Sequence, residues 1–117
     1  MMFDFEKFAE ITASVFPGGQ YSLKEVLYVF GCYFERYEKY MGHPHPPIKA
    51  SQIVRIIQAM PYFYPGYHIC DRAEIWPSDY PVLIDKHFQT RYRRCDYNIN
   101  HFFSGQIREL RYFEELY

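Results

Sequence analysis

Eight prolines divide this chain, and where they fall decides what it can build. Proline removes a backbone donor and pushes the residue before it out of the helical region, so each one ends or begins an element. Pro17-Gly18-Gly19 closes a first segment, and His43-Pro44-His45-Pro46-Pro47 can only run as an extended connector. Pro61, Pro65 and Pro77 interrupt 61–77, while Pro81 stands where a helix's first turn tolerates a missing N–H.

The intervals carry helical periodicity. Asp4 is placed to cap a helix over 4–16, in which Phe5, Phe8, Ile11, Thr12, Val15 and Phe16 recur near helical spacing. Ser22 and Glu25 form a capping box, with Tyr21 and Val26 positioned as a hydrophobic staple. The stripe Leu23, Val26, Leu27, Phe30, Phe34, Tyr37 and Met41 follows, and Gly42 is a natural stop. Ile53, Ile56, Ile57 and Met60 mark a third helix. A fourth begins near Ser78 or Asp79 and turns Tyr80, Leu83, Ile84, His87 and Phe88 inward. Asp96 or Asn98 caps a short fifth that buries Ile99, Phe102 and Phe103. The pattern Ile107, Leu110, Phe113 and Tyr117 predicts a last helix after Gly105. The expectation is one all-α domain over 1–117, a compact bundle of five to six helices, with 61–77 read as either an ordered loop or one small β-hairpin.

With 49% hydrophobic and 23% charged residues the chain is an ordinary globular one; its anomaly is 13 Tyr and 11 Phe. So many amphipathic rings point to some serving an interface. Cys32, Cys70 and Cys95 are odd in number and too few for a disulfide framework. The start MMFDFEKF has acid where a signal peptide needs base, and the longest uncharged apolar run, Val26 to Phe34, is too short to cross a membrane. A cytoplasmic protein without a membrane partner is expected.

Net charge is only -1, which excludes a strong global pull toward polyanions. The charge is nonetheless polarised. Residues 1–42 carry Asp4, Glu6, Glu10, Glu25, Glu35 and Glu38 against Lys7, Lys24, Arg36 and Lys39; residues 86–113 carry Lys86, Arg91, Arg93, Arg94, Arg108 and Arg111 against Asp96 and Glu109.

The basic end holds the candidate site. Arg91, Tyr92, Arg93, Arg94, Tyr97, Asn98 and Asn100, with Arg108 and Arg111, offer guanidinium forks for phosphate, rings for stacking and amides for base edges. The competing interpretation pairs these arginines with Asp85, Asp96, Glu109, Glu114 and Glu115 and spends the asparagines on helix caps. A second contact is expected from Tyr62, Tyr64 and Tyr67, unless that loop folds back as a lid on the core.

Other chemistries find less support. A helix-turn-helix reading would use 106–117 as its recognition helix, which ends in Glu114-Glu115 and opens with a single base reader, Gln106. His43, His45, His68, Cys70, Cys95 and His101 are metal-type ligands, but no CxxC or CxxH spacing occurs. No phosphate loop, GxSxG or HExxH is present. No cofactor, metal or catalytic residue is therefore expected.

The run from Tyr92 onward, with CDYNINHFFSG followed by IRELRYFEE, resembles the C-terminal portion of small proteins carried by phages and conjugative elements of clostridia-type bacteria. The resemblance covers about a quarter of the chain. It implies a mobile-element setting and brings no catalytic assignment with it. The expected function is a small non-catalytic binder that engages nucleic acid, or machinery handling it, through the Arg/Tyr/Asn face. The alternative is a protein-protein inhibitor or adaptor, such as an anti-CRISPR; a weaker one is a metal-dependent enzyme using Cys70, Cys95, His68 and His101.

Overall fold

The structure is a computed structural model that describes residues 4–61 and 75–104. Its elements follow the punctuation of the sequence: α1 (Phe5–Val15), α2 (Leu23–Met41), α3 (Ala50–Ala59), a 3-10 turn (Pro77–Asp79), α4 (Tyr80–Gln89) and α5 (Ile99–Phe102). The regular elements among the described residues are all helical, with no strand. The hairpin expected in 61–77 falls mostly on 62–74, and the last helix on 106–117; both segments lie outside the described residues.

Local chemistry sets the helix ends. The Asp4 side chain accepts from the Lys7 N–H at 3.1 Å and starts α1. The capping box of α2 is complete, Ser22 Oγ accepting from Glu25 N at 3.1 Å and Glu25 Oε1 from Ser22 N at 2.8 Å. Gly42, at φ 80°, ends α2 in the left-handed region that glycine adopts without steric cost. α4 begins directly after Asp79, as expected, but the Asp79 side chain makes no capping bond to it. A turn of 3-10 helix begins at Pro77, and Asp79 reaches back to accept from the Trp76 N–H at 2.8 Å, so it caps the turn rather than α4.

α2 is the central helix, packed against α1 on one side and α4 on another. Two-sided cover explains why its buried face is broader than the predicted stripe: Val29 and Tyr33 are fully buried beside Val26, Phe30, Phe34 and Tyr37. The first helix is more lightly used. Phe8 and Thr12 are buried, whereas Phe5 and Ile11 stay more than a third exposed. Phe8 meets Phe30 and Phe34 edge-on at 4.9 and 5.0 Å between ring centres. In α3 the expected Ile53, Ile56, Ile57 and Met60 are all buried.

The tyrosine surplus has a structural use. Tyr80 Oη on α4 donates to the Met60 carbonyl at 2.6 Å, closing the end of α3 against α4. Tyr21 Oη donates to the Ile75 carbonyl, fastening the start of α2 to the segment that leads into the 3-10 turn. Each buried ring fills the core while its hydroxyl satisfies a carbonyl that no helix ladder reaches.

Candidate functional site

Between α4 and α5 the chain makes a loop, 90–98, that carries the arginine cluster. Its ends are set by side chains. Thr90 Oγ1 donates back to the Lys86 carbonyl at 2.8 Å at the end of α4. At the start of α5, Asn98 Oδ1 accepts from the N–H groups of Asn100 and His101 at 2.9 and 3.3 Å. Asn98 is thus the N-cap that the sequence offered as one of two choices.

Inside the loop, Tyr97 Oη donates to the Thr90 carbonyl at 2.6 Å and accepts from the Tyr92 N–H at 2.9 Å, drawing the two limbs together. The Tyr97 N–H is taken by Cys95 Sγ at 3.2 Å. The Asp96 carboxylate receives the Asn98 N–H at 3.1 Å and the Asn98 amide at 2.9 and 3.1 Å. The backbone hydrogen bond from Asn98 is the main reason the Asp96 pKa lies below the ordinary value.

Two buried groups moor this loop to the core. Tyr33 Oη, from the middle of α2, donates to the Tyr97 carbonyl at 2.6 Å and lies 3.2 Å from that of Asn98. His45, from the proline-rich connector, accepts the Ile99 N–H on Nε2 at 3.0 Å. Its Nδ1 lies 2.7 Å from the Pro46 carbonyl, which fixes the proton there and leaves Nε2 as the acceptor. Burial pushes the His45 pKa below its ordinary value, the neutral form this arrangement requires. On α4, fully buried His87 is ringed by Tyr92, Tyr97 and His101 at 5.3, 5.5 and 5.1 Å between ring centres.

The backbone is strained where the loop turns outward. Arg94 and Tyr97 sit at φ 56° and 57°. A non-glycine residue there costs on the order of 1 kcal/mol, and it persists because the surrounding bonds over-determine it.

Arg91, Arg93 and Arg94 are exposed on this frame. Among the described residues none of the three forms an ion pair. Two carboxylates of the competing pairing are engaged elsewhere: Asp96 by Asn98, and Asp85 by Arg36, whose Nε donates to it at 3.1 Å between α2 and α4. The other acids of the competing pairing, Glu109, Glu114 and Glu115, lie outside the described residues, as do Arg108, Arg111, Tyr62, Tyr64 and Tyr67.

The remaining expected site residues divide by use. Tyr92 is half-buried, wedged 4.8 Å from His101 and 5.9 Å from Tyr97 between ring centres. The polar atoms of Tyr97 and Asn98 are committed to the loop itself, and Asn100 is half-buried in α5. The tyrosine and asparagine set therefore builds the platform, while the guanidinium groups face water. Sequence reasoning missed Tyr33 and His45 as moorings. The only signal was indirect, a tyrosine on the face of α2 left off the predicted stripe and a histidine held between prolines.

Among the described residues no group of His, Cys, Asp and Glu is arranged to hold a metal ion. His68 and Cys70, half of the weaker enzyme alternative, lie outside them. No helix among the described residues is long and apolar enough to cross a membrane. Compared with protein-family models, curated proteins and solved structures, the chain matches none, so a functional reading rests on its own residues.

Proposed function

We propose that this is a small non-catalytic protein that binds nucleic acid by its phosphate backbone, with Arg91, Arg93 and Arg94 as the contacting groups. The observation that carries the reading is the combination of three exposed guanidinium groups without ion pairs and a loop tied to the core by Tyr33, Tyr97 and His45. A loop already held in place loses little conformational freedom on binding. Arginine suits the task because its planar fork meets phosphate oxygens in pairs and stays charged at every relevant pH.

The reading predicts weak sequence preference. Phosphate contacts set position and affinity, whereas base edges carry sequence information, and the nearby amide of Asn98 is already spent on Asp96. The resemblance to mobile-element proteins fits a setting in the cytoplasm of a bacterial host. Fluorescence anisotropy of a labelled single-stranded oligonucleotide at low salt tests this. The intact chain should bind, and Arg93→Ala with Arg94→Ala should weaken binding by roughly tenfold or more. No binding at low salt would remove the reading and favour a protein partner for the same arginines.

A further inference from the structure

A second feature lies away from the arginine loop. A groove of about 530 Å³ opens between α1 and α2, walled by Phe5 and Tyr28 and rimmed by Glu35 and Glu38. Both rings are unusually open for their size, Phe5 at 37% and Tyr28 at 48% exposure. The groove falls within the usual volume range of small-molecule sites, roughly 300–1,000 Å³.

Its charge is one-sided. Glu35 and Glu38 are three residues apart on α2 and so share a face. Of the three cations on this helix, Lys24 lies in its first turn, Arg36 bonds to Asp85 on α4, and Lys39 lies over the Tyr40 ring at 5.4 Å. Among the described residues the pairing of Glu35 is a long one, 3.8 Å to Arg36, with its side chain 81% exposed. Among the described residues no lysine or arginine lines the groove.

Its floor is kept low by a glycine that packing does not demand. Gly31 stands inside α2, where glycine costs about 0.5–1 kcal/mol relative to alanine. A Cβ there would meet Phe5 Cζ at 3.6 Å, an ordinary contact. The missing side chain gives room to whatever lies between Phe5 and Tyr28.

We infer that this groove binds a small organic cation, an ammonium group on a compact apolar body. Aromatic faces attract such a cation through their quadrupoles, and the two carboxylates at the rim supply charge of the complementary sign. The inference is independent of the arginine loop and stands or falls on different residues.

The probe is benzyltrimethylammonium, titrated into the isotopically labelled full chain and followed by amide chemical shifts, with benzyl alcohol and phenylacetate as neutral and anionic counterparts. Saturable shifts centred on Gly31, Cys32 and Glu35 are expected for the cation alone. The surface variant Glu35→Gln with Glu38→Gln should weaken the cation on the order of tenfold, and Gly31→Leu should fill the floor and abolish binding. Equal shifts with the three probes, no saturation with the cation, or an unchanged affinity in the double glutamine variant would each overturn the inference. That variant decides the matter alone if Gly31→Leu does not fold.

Discussion

The hydroxyl of Tyr33 donates to the carbonyl of Tyr97 at 2.6 Å, across a separation of 64 residues in the chain. This bond couples the most buried part of α2 to the most strained part of the arginine loop. Tyr33→Phe keeps the ring packing and removes the donor, leaving a part-buried carbonyl unsatisfied. Stability should fall by about 1–2 kcal/mol in urea unfolding. Oligonucleotide affinity should fall as well, because the loop then has freedom to lose on binding. Unchanged stability would mean that the bond is not made in solution.

Arg94 separates binding from folding. Its left-handed φ of 56° is costly for arginine and free for glycine. Arg94→Gly should therefore raise stability, by up to about 1 kcal/mol after glycine's greater unfolded freedom is set against the relieved strain. The same change should weaken nucleic-acid binding by removing one cation. Opposite signs in thermal melting and in anisotropy are the expected pair of results.

His45 gives the protein a dependence on pH. Around its ring are Tyr33, Phe34 and Tyr37 on α2; burial lowers its pKa most, His43 adds to the lowering, and the Pro46 carbonyl and Asp96 raise it by less. Its folded pKa lies below the unfolded value of about 6.5. Between those two values the unfolded chain holds the extra proton, so stability is complete above about 6.5 and is lost as pH falls toward the folded pKa. The loss from this group, up to about 1.4 kcal/mol per pH unit, stops once both states are protonated. Urea midpoints taken above and below pH 6.5 should show the drop, and His45→Gln, which keeps an acceptor for the Ile99 N–H but does not titrate, should lose most of it.

Much of this architecture was legible because it is written in local chemistry. The Ser22–Glu25 box, the Gly42 stop, the Ile53–Met60 face and the Asn98 cap depend on residues a few positions apart. What escaped depends on distant pairs. No spacing rule relates His45 to Ile99, or Arg36 to Asp85, since those contacts exist only once α2, α4 and the connector are packed. The same reason explains the tyrosines. Counted along the chain they look like interface residues, but the hydroxyls of Tyr21, Tyr33, Tyr80 and Tyr97 each close a carbonyl within the fold. The broad buried face of α2 was underestimated because periodicity reports one covered side, and this helix is covered on two.

The central claim is that Arg91, Arg93 and Arg94 meet phosphates directly, and the salt dependence of oligonucleotide affinity measures that most plainly. Each phosphate contact contributes a slope of about 0.7 in log affinity against log salt for a single strand. Replacing the three arginines by alanine should therefore flatten the slope by about 2, with the fold intact by circular dichroism. A slope identical in the intact chain and the triple variant would show that these guanidinium groups do not touch the nucleic acid.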